Sequence, residues 1–319
     1  MMKNIAVITG GNGAEREISL KSAKVVFQHL DASKYNPYLI VINKTEWVVE
    51  SSGNVIAVVD KNDFSAIVNG NKVYFDQAFI ALHGSPAEDG KLQGYLDMME
   101  IPYNCCGVLP AALTFDKSRC KEFLSFHGVK TAMSQLLRSP SPEPDSKFSF
   151  PLFVKPNKNG SSFGASKVND ISQWKEALEN AFAHDEEVLV EEYLQGTEVT
   201  CGVIKIDKHP VALPLTEIRP KSAFFDFKAK YEGASQEITP AEISPALTEQ
   251  IQRLSEKIYS LLGMKGMCRI DYIIKEGVPY LLEVNSIPGL TEESILPQQA
   301  RVFGLSLKEL FSLSLEAED

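Results

Sequence analysis

The stretch RIDYIIKEGVPYLLEVNSIPG, residues 269–289, decides how the chain reads. Two apolar runs flank Glu276 and Gly277, residue types that turn a chain back on itself, so a hairpin of two strands is expected. Side chains alternate across a strand, which puts Glu283 and Asn285 on one face, ~7 Å apart along it. Pairing of the two strands can bring Asp271 to that face as well. Two carboxylates and an amide inside apolar strands are costly to bury unless hydrogen bonds or a cation compensate. Hard oxygen donors of this kind suit Mg²⁺, and a structural polar cluster is the alternative.

At 319 residues the chain exceeds what one compact core supports, so two or three domains are expected. Hydrophobic residues at 44% and charged residues at 23% are globular values, which argue against general disorder. A formal net charge of −10 opposes nucleic acid and anionic membranes as partners of the whole molecule. An anionic substrate then needs a local basic cluster or a metal. The chain opens MMKNIAVITGG, a short strand-like run without the pattern of a secretory leader, and no later run has membrane-spanning length. The expectation is a soluble cytoplasmic protein. Cys105, Cys106, Cys120, Cys201 and Cys268 are odd in number and lack zinc-site spacing, as reduced thiols would.

From Ile5 to Leu82 the pattern predicts a strand at Ile5–Thr9, a helix at Ile18–Leu30 and strands at Tyr38–Ile42 and Ala78–Leu82, interleaved with helical stretches. That punctuation argues for a parallel α/β sheet. SPSPEPDSKFSFP, 139–151, reads as an exposed connection. It leads into a strand at LFVKP, a Gly/Ser loop, a helix over Ile171–His184 and a strand at Val188–Tyr193. A third region runs from Val199 through the hairpin to a helix around Leu307–Leu313.

The glycines after the first strand invite a dinucleotide-binding reading, but GxGxxG from Gly11 meets Arg16 at its third position. The same turn places Glu15 at a helix start beyond a strand end. There it either meets a ligand or complements the helix dipole. FVKPNKNGSSFG, 153–164, brings Lys155 out of a strand into a loop rich in backbone N–H groups, able to fold over phosphates or to lie solvated on the surface. EVLVEEYLQGTE, 187–198, is an edge strand with solubilising acids or the wall of a base pocket. HGSPAEDGKLQG, 83–94, is a constrained loop in which His83 reads as structural rather than catalytic. FFDFKAKYEG, 224–233, sets Lys228, Lys230 and Tyr231 in a solvated segment or a mobile lid.

Taken in order, GGNGAEREISL, HGSPAEDGKLQGYL, ALTFDK, FVKPNKNGSSFGASKV, EEYLQGTE, FDFKAKYEG, CRIDY and LLEVNSIPGLTEESILP closely resemble the D-alanine:D-alanine ligase family of ATP-grasp enzymes across nearly the whole chain. The resemblance implies an α/β fold, α+β in its ATP-grasp part: a Rossmann-like domain at 1–115, a central ATP-grasp lobe at 116–198, and a C-terminal lobe at 199–319 with a lid at about 221–236. It implies ATP-dependent joining of two D-alanines through an acyl phosphate, a peptidoglycan precursor step.

By the same resemblance Asp271, Glu283 and Asn285 hold two Mg²⁺ ions, with Mn²⁺ tolerated. Lys117 and Lys155 contact the phosphates, with Ser161, Ser162 and Gly164 covering them and Lys230 closing from the lid. Glu191, Glu192 and Leu194 line the adenine pocket and Glu198 meets the ribose. Glu15 takes the ammonium of the first D-alanine, supported by Ser161 and Tyr231. Arg269 and the Gly289 N–H form an oxyanion site, Ser294 binds the second carboxylate, and His83 supports the first subsite. A homodimer acting on D-alanine and ATP alone, with no nucleic acid or membrane, is implied. Ala87 stands where the family usually has glycine, which matters if that position needs φ > 0. Close alternatives are a ligase taking D-lactate or D-serine, and a nucleotide-binding regulator without turnover.

Overall fold

The structure, a computed structural model, describes residues 2–317 except 12, 14, 142, 161, 162 and 221–234. Strand β1 (Lys3–Gly10) leads into helix α1 (Arg16–His29) and strand β2 (Tyr35–Ile42). Strands β3 (Trp47–Ser51), β4 (Asn54–Asp60), β5 (Ser65–Val68), β6 (Asn71–Tyr74) and β7 (Gln77–Ile80) complete a sheet of order β6-β5-β4-β3-β2-β1-β7. The expected parallel pairing holds where β1 meets β2 and β7. The helical stretches expected between Ile42 and Ala78 are instead the antiparallel meander β3–β6. Its hairpins turn at Ser52-Gly53 (φ 51°, 79°) and Asn69-Gly70 (φ 50°, 79°), the positive-φ pairs that match strand twist.

Helices α2 (Lys91–Met98), α3 (Val108–Phe115) and α4 (Lys117–Phe126) lead to a second sheet, of order β10-β9-β11-β8. Its strands are β8 (Ser134–Leu137), β9 (Leu152–Pro156), β10 (Ser166–Val168) and β11 (Val188–Glu192), backed by helix α5 (Trp174–Phe182). Trp174, Ala177, Leu178 and Ala181 recur at helical spacing and bury against Val154, Val168 and Val190.

The third sheet has the order β15-β14-β12-β16-β17, with β13 beside β12. It consists of β12 (Thr197–Ile206), β13 (His209–Ala212), β14 (Thr216–Pro220), β15 (Ser235–Ile238), β16 (Met267–Lys275) and β17 (Val278–Asn285). Helix α6 (Pro245–Leu261) and α4 share its core: Cys120 and Leu124 pack with Ile251, Tyr259, Ile270 and Leu281. The hairpin of 269–289 forms as expected, turning at Glu276 and Gly277 (φ 52° and 76°). Its register sets Arg269 opposite Asn285 and Asp271 opposite Glu283, all four on one face, with an irregularity after Asp271.

Helices α7 (Ile295–Phe303) and α8 (Leu307–Glu316) return to the first sheet. Leu296, Ala300, Leu307, Leu310, Phe311 and Leu315 bury with Ile5, Val7, Ala23 and Phe79. Phe311 meets Phe79 edge-on at 5.6 Å. Each such side chain contributes about 1.5–3 kcal/mol when fully buried, so α8 clamps the first sheet to the third. That clamp fixes the β1–α1 turn relative to the floor of the cleft. No helix among the described residues is long and apolar enough to cross a membrane.

Candidate active site

A cleft of about 400 Å³ lies between the second and third sheets. On its floor, Arg269 grips Asp271 with two parallel hydrogen bonds, Nε to Oδ1 at 2.8 Å and an Nη to Oδ2 at 2.9 Å. Asn285 donates to Asp271 Oδ2 at 3.0 Å, and the Thr200 hydroxyl donates to Oδ1. The carboxylate is buried but fully compensated, as a charge in such a strand must be. Glu283 stands 3.6 Å from Lys117 Nζ, which donates to the Asn159 carbonyl at 2.6 Å. Lys117 thus bridges the floor and the loop after β9.

Opposite the floor, the buried Glu191 carboxylate is shared by two lysines. Lys155 Nζ stands 2.8 Å from Oε2, and Lys121 donates to Oε1. Burial alone would raise the Glu191 carboxyl, but the charges of Lys121 and Lys155 hold it down to about 2. Burial pushes Lys121 down to about 8 despite Glu191. Lys155 is equally desolvated, yet Glu191 and Glu283 together raise it above its usual value. Lys155 therefore carries a positive charge into the cleft, and Lys121, whose ammonium burial makes the more acidic of the two, is held behind it.

Glu192, next along β11, points away from Glu191 and accepts from the Met133 N–H at 2.9 Å. Glu192, Leu194 and Glu198 line the cleft with Tyr193, whose ring carries Lys167 Nζ at 3.9 Å from its centroid. Gly164 (φ 74°) ends the loop after β9: a methyl there would lie 2.7 Å from His184 and 2.9 Å from Pro156. It anchors the loop's end, while Asn159, Phe163 and Ala165 face the cleft. Ser161, Ser162, Lys228, Lys230 and Tyr231 lie outside the described residues.

A second cavity of about 770 Å³ adjoins the loop after β9 and is lined by Glu15, His83, Gly84 and Gly160. The Glu15 carboxylate lies against both glycines: a methyl on Gly160 would come within 2.6 Å of it, one on Gly84 within 3.3 Å. His83 is held at both ring nitrogens. Its Nδ1 faces the Ile287 carbonyl and its Nε2 the Ser22 hydroxyl, each at 3.0 Å, so Nδ1 carries the hydrogen and Nε2 accepts. Burial lowers its pKa and keeps the ring neutral. It ties α1 to the segment after β17. Ser294 begins α7, and its hydroxyl accepts from the Thr291 N–H at 3.1 Å. A methyl on Gly289 would come within 2.8 Å of that hydroxyl, so Gly289 and Ser294 share one corner.

Ala87 has negative φ and a buried methyl, so alanine carries no backbone strain there. The glycine turn after β1 closes on Arg16, which donates to the Gly11 carbonyl at 3.2 Å, and the dinucleotide-binding reading is not needed to explain it. Two site residues escaped the sequence reading. Lys121, one helical turn after Lys117, looks like a solvated lysine. Glu88 accepts from the Gly84 N–H at 3.0 Å. Burial, then the nearby Glu15, pushes its carboxyl up to about 8.

Two antiparallel sheets closing on one cleft, with a separate α/β sheet delivering an acid to its edge, is the arrangement of ATP-grasp enzymes, and the chain is of that class. Sequence profiles described as D-ala D-ala ligase N-terminus and C-terminus match residues 4–106 and 124–315. The chain belongs to the D-ala D-ala ligase family. It is 49% identical over 324 aligned positions to a D-alanine--D-alanine ligase of Azobacteroides pseudotrichonymphae genomovar. CFP2, covering 99% of this chain and 100% of that one. It is 46% identical to the D-alanine--D-alanine ligase of Bacteroides fragilis strain YCH46, over 99% of each. Among solved structures, the VanG D-Ala:D-Ser ligase from Enterococcus faecalis superposes with a TM-score of 0.86 at 33% identity over 99% of both chains. The D-alanine--D-alanine ligase from Bacillus anthracis complexed with ATP does so with 0.78 at 28%, over 98% of this chain and 96% of that one.

Proposed function

We propose that the protein joins two D-alanine molecules into D-alanyl-D-alanine at the expense of ATP, supplying a peptidoglycan precursor. The observation that supports this is the Glu15 carboxylate seated against Gly160 in the loop after β9, a negative charge able to take an ammonium at the edge of the cleft. With its ammonium on Glu15, the first D-alanine turns its carboxylate toward the γ-phosphate. A carboxylate oxygen bonds to phosphorus and ADP leaves. The second amine then attacks the acyl carbon, phosphate departs with the C–O electrons, and the amine gives up a proton. Both steps gather negative charge, so catalysis is positioning plus charge stabilisation.

The chain's residues divide that work. Lys117 and Lys155 neutralise phosphate oxygens, with Ser161, Ser162, Gly164 and Lys230 enclosing them. Glu191, Glu192 and Leu194 wall the adenine and Glu198 meets the ribose. Ser161 and Tyr231 steady the ammonium with Glu15. Arg269 and the Gly289 N–H receive the oxyanion, and Ser294 holds the second carboxylate. Asp271, Glu283 and Asn285 fit Mg²⁺, because two carboxylates and an amide on one face of the β16–β17 pair are a hard-oxygen donor set. Bound there, Mg²⁺ or a tolerated Mn²⁺ supplies positive charge to the phosphates. The working parts are taken as 1–115, 116–198 and 199–319, in a cytoplasmic homodimer whose partners are small molecules only.

The test is phosphate release by purified protein with Mg²⁺ and ATP. D-Alanine should elicit it and L-alanine should not, with dipeptide as the product. No D-alanine-dependent phosphate ends the assignment. D-Serine and D-lactate offered as second substrates separate the dipeptide former from its near relatives.

A further inference from the structure

A buried glutamine outside the described chemistry joins the two walls of the second amino-acid subsite. Strand β12 pairs along one edge with β14 over Glu198–Thr200 and with β13 over Val203–Ile206. Where it changes partner, no strand serves the backbone between Thr200 and Gly202 on that edge. The Gln299 carboxamide, from α7, takes the place of a peptide group. Its Oε1 accepts from the Gly202 N–H at 2.9 Å. Its Nε2 donates to the Thr200 carbonyl at 2.9 Å and to the Thr216 hydroxyl at 3.0 Å. A backbone donor and a backbone acceptor fix which end of the amide is which. Gln299 is 0% exposed, and a methyl on Gly202 would lie 2.6 Å from its Oε1, so glycine is what admits the amide.

Both sides of this junction lead to the site. Thr200 bonds Asp271 through its hydroxyl, and Gly202 stands opposite Arg269 in the β12–β16 ladder. Five residues before Gln299, Ser294 begins the same helix and shares its corner with Gly289. One amide therefore fixes the helix that presents Ser294 against the strands that present Arg269 and Asp271.

We propose that Gln299 is a positioning residue for the second amino acid. It holds the carboxylate anchor at the distance from the acyl phosphate that lets the amine reach the carbonyl carbon. The inference rests on the ligase reading above. Reacting atoms must lie about 3–3.5 Å apart, and a misplacement of about 1 Å costs up to about 100-fold in rate.

Gln299→Met keeps the length and removes all three bonds, while Gln299→Glu keeps the acceptor for Gly202 and loses the donors. Each is assayed with D-alanine and ATP in two ways: for dipeptide, and for D-alanine hydroxamate with hydroxylamine present. Hydroxylamine attacks the same acyl carbon and expels phosphate, but has no carboxylate to anchor. Hydroxamate formation and the KM for ATP should stay within about twofold of wild type, while kcat/KM for the second D-alanine falls about 10- to 100-fold. Equal losses in both products, or unchanged dipeptide synthesis, in whichever variant folds overturn the proposal. A wild-type protein that forms neither product overturns the ligase reading instead.

Discussion

Replacing Glu191 by Gln should strip the charge that holds Lys121 and Lys155 together. The carboxylate is almost wholly buried, 2.8 Å from Lys155 and bonded to Lys121. A carboxyl held at about 2 instead of its ordinary 4.5 is favoured by about 3 kcal/mol in its charged form. Removing one partner of a buried ion pair costs about 3–5 kcal/mol, which agrees. At roughly 2 °C per kcal/mol for a chain this long, the variant should melt about 6–10 °C lower at neutral pH. The sign with pH follows from the lowered carboxyl. Its stabilisation is complete above 4.5 and lost as pH falls toward 2, so wild type and variant should converge in acid. Without Glu191, which raises it, the buried Lys121 sheds its proton at lower pH in the variant than in wild type, so the repulsion with Lys155 should fade first in the variant as pH rises. Adding Lys121→Met to Glu191→Gln removes the stranded ammonium and should recover stability. Differential scanning fluorimetry between pH 2 and 9 reads all of this. A single variant melting within 1 °C of wild type at pH 7, or a double variant less stable than the single, would refute the reasoning.

Three further substitutions address the other parts of the site. Gly160→Ala places a methyl 2.6 Å from a Glu15 oxygen; the KM of the first D-alanine should rise about tenfold or more at nearly constant Tm, about 1.4 kcal/mol of binding, and an unchanged KM counts against the ammonium role of Glu15. Glu88 has a carboxyl raised to about 8, so its stabilising protonation is complete below about 4.5 and is lost as pH rises through 8; Glu88→Gln should flatten the fall in Tm across that range, and an unchanged slope would show that Glu88 is not its source. Glu283→Gln should lower turnover at saturating MgATP by at least about 100-fold, a loss of about 3 kcal/mol in transition-state stabilisation, while melting near wild type. Retained turnover would remove Glu283 from the metal set.

The hairpin at 269–289 was legible because its turn chemistry, alternation and polar exceptions agree, and its register put Asp271 opposite Glu283 as the pairing required. The meander β3–β6 was also written in the sequence: Ser52-Gly53 and Asn69-Gly70 are two-residue hairpin signals between apolar runs. The βαβ pattern of the first strand and helix overrode them. Lys121 and Gln299 were not legible. A lysine four residues after another on a charged helix looks solvated, and only the approach of β11 makes it a buried partner of Glu191. Gln299 acquires meaning only where β12 changes neighbours, a property of sheet topology that no local pattern carries. Glu88 differs, since its motif was noticed but its proton affinity depends on Glu15, far away in sequence.

Because Phe311 and Leu315 complete the apolar face formed by Ile5, Val7 and Phe79, the opening strands leave the ribosome with that face uncovered. More than two hundred further residues must be synthesised before α8 can reach it, a delay in which exposed apolar surface invites chaperones or aggregation. The delay also orders assembly: the strands that wall the cleft are complete by Asn285, and α8, made last, finishes the apolar face that packs the first sheet against the third.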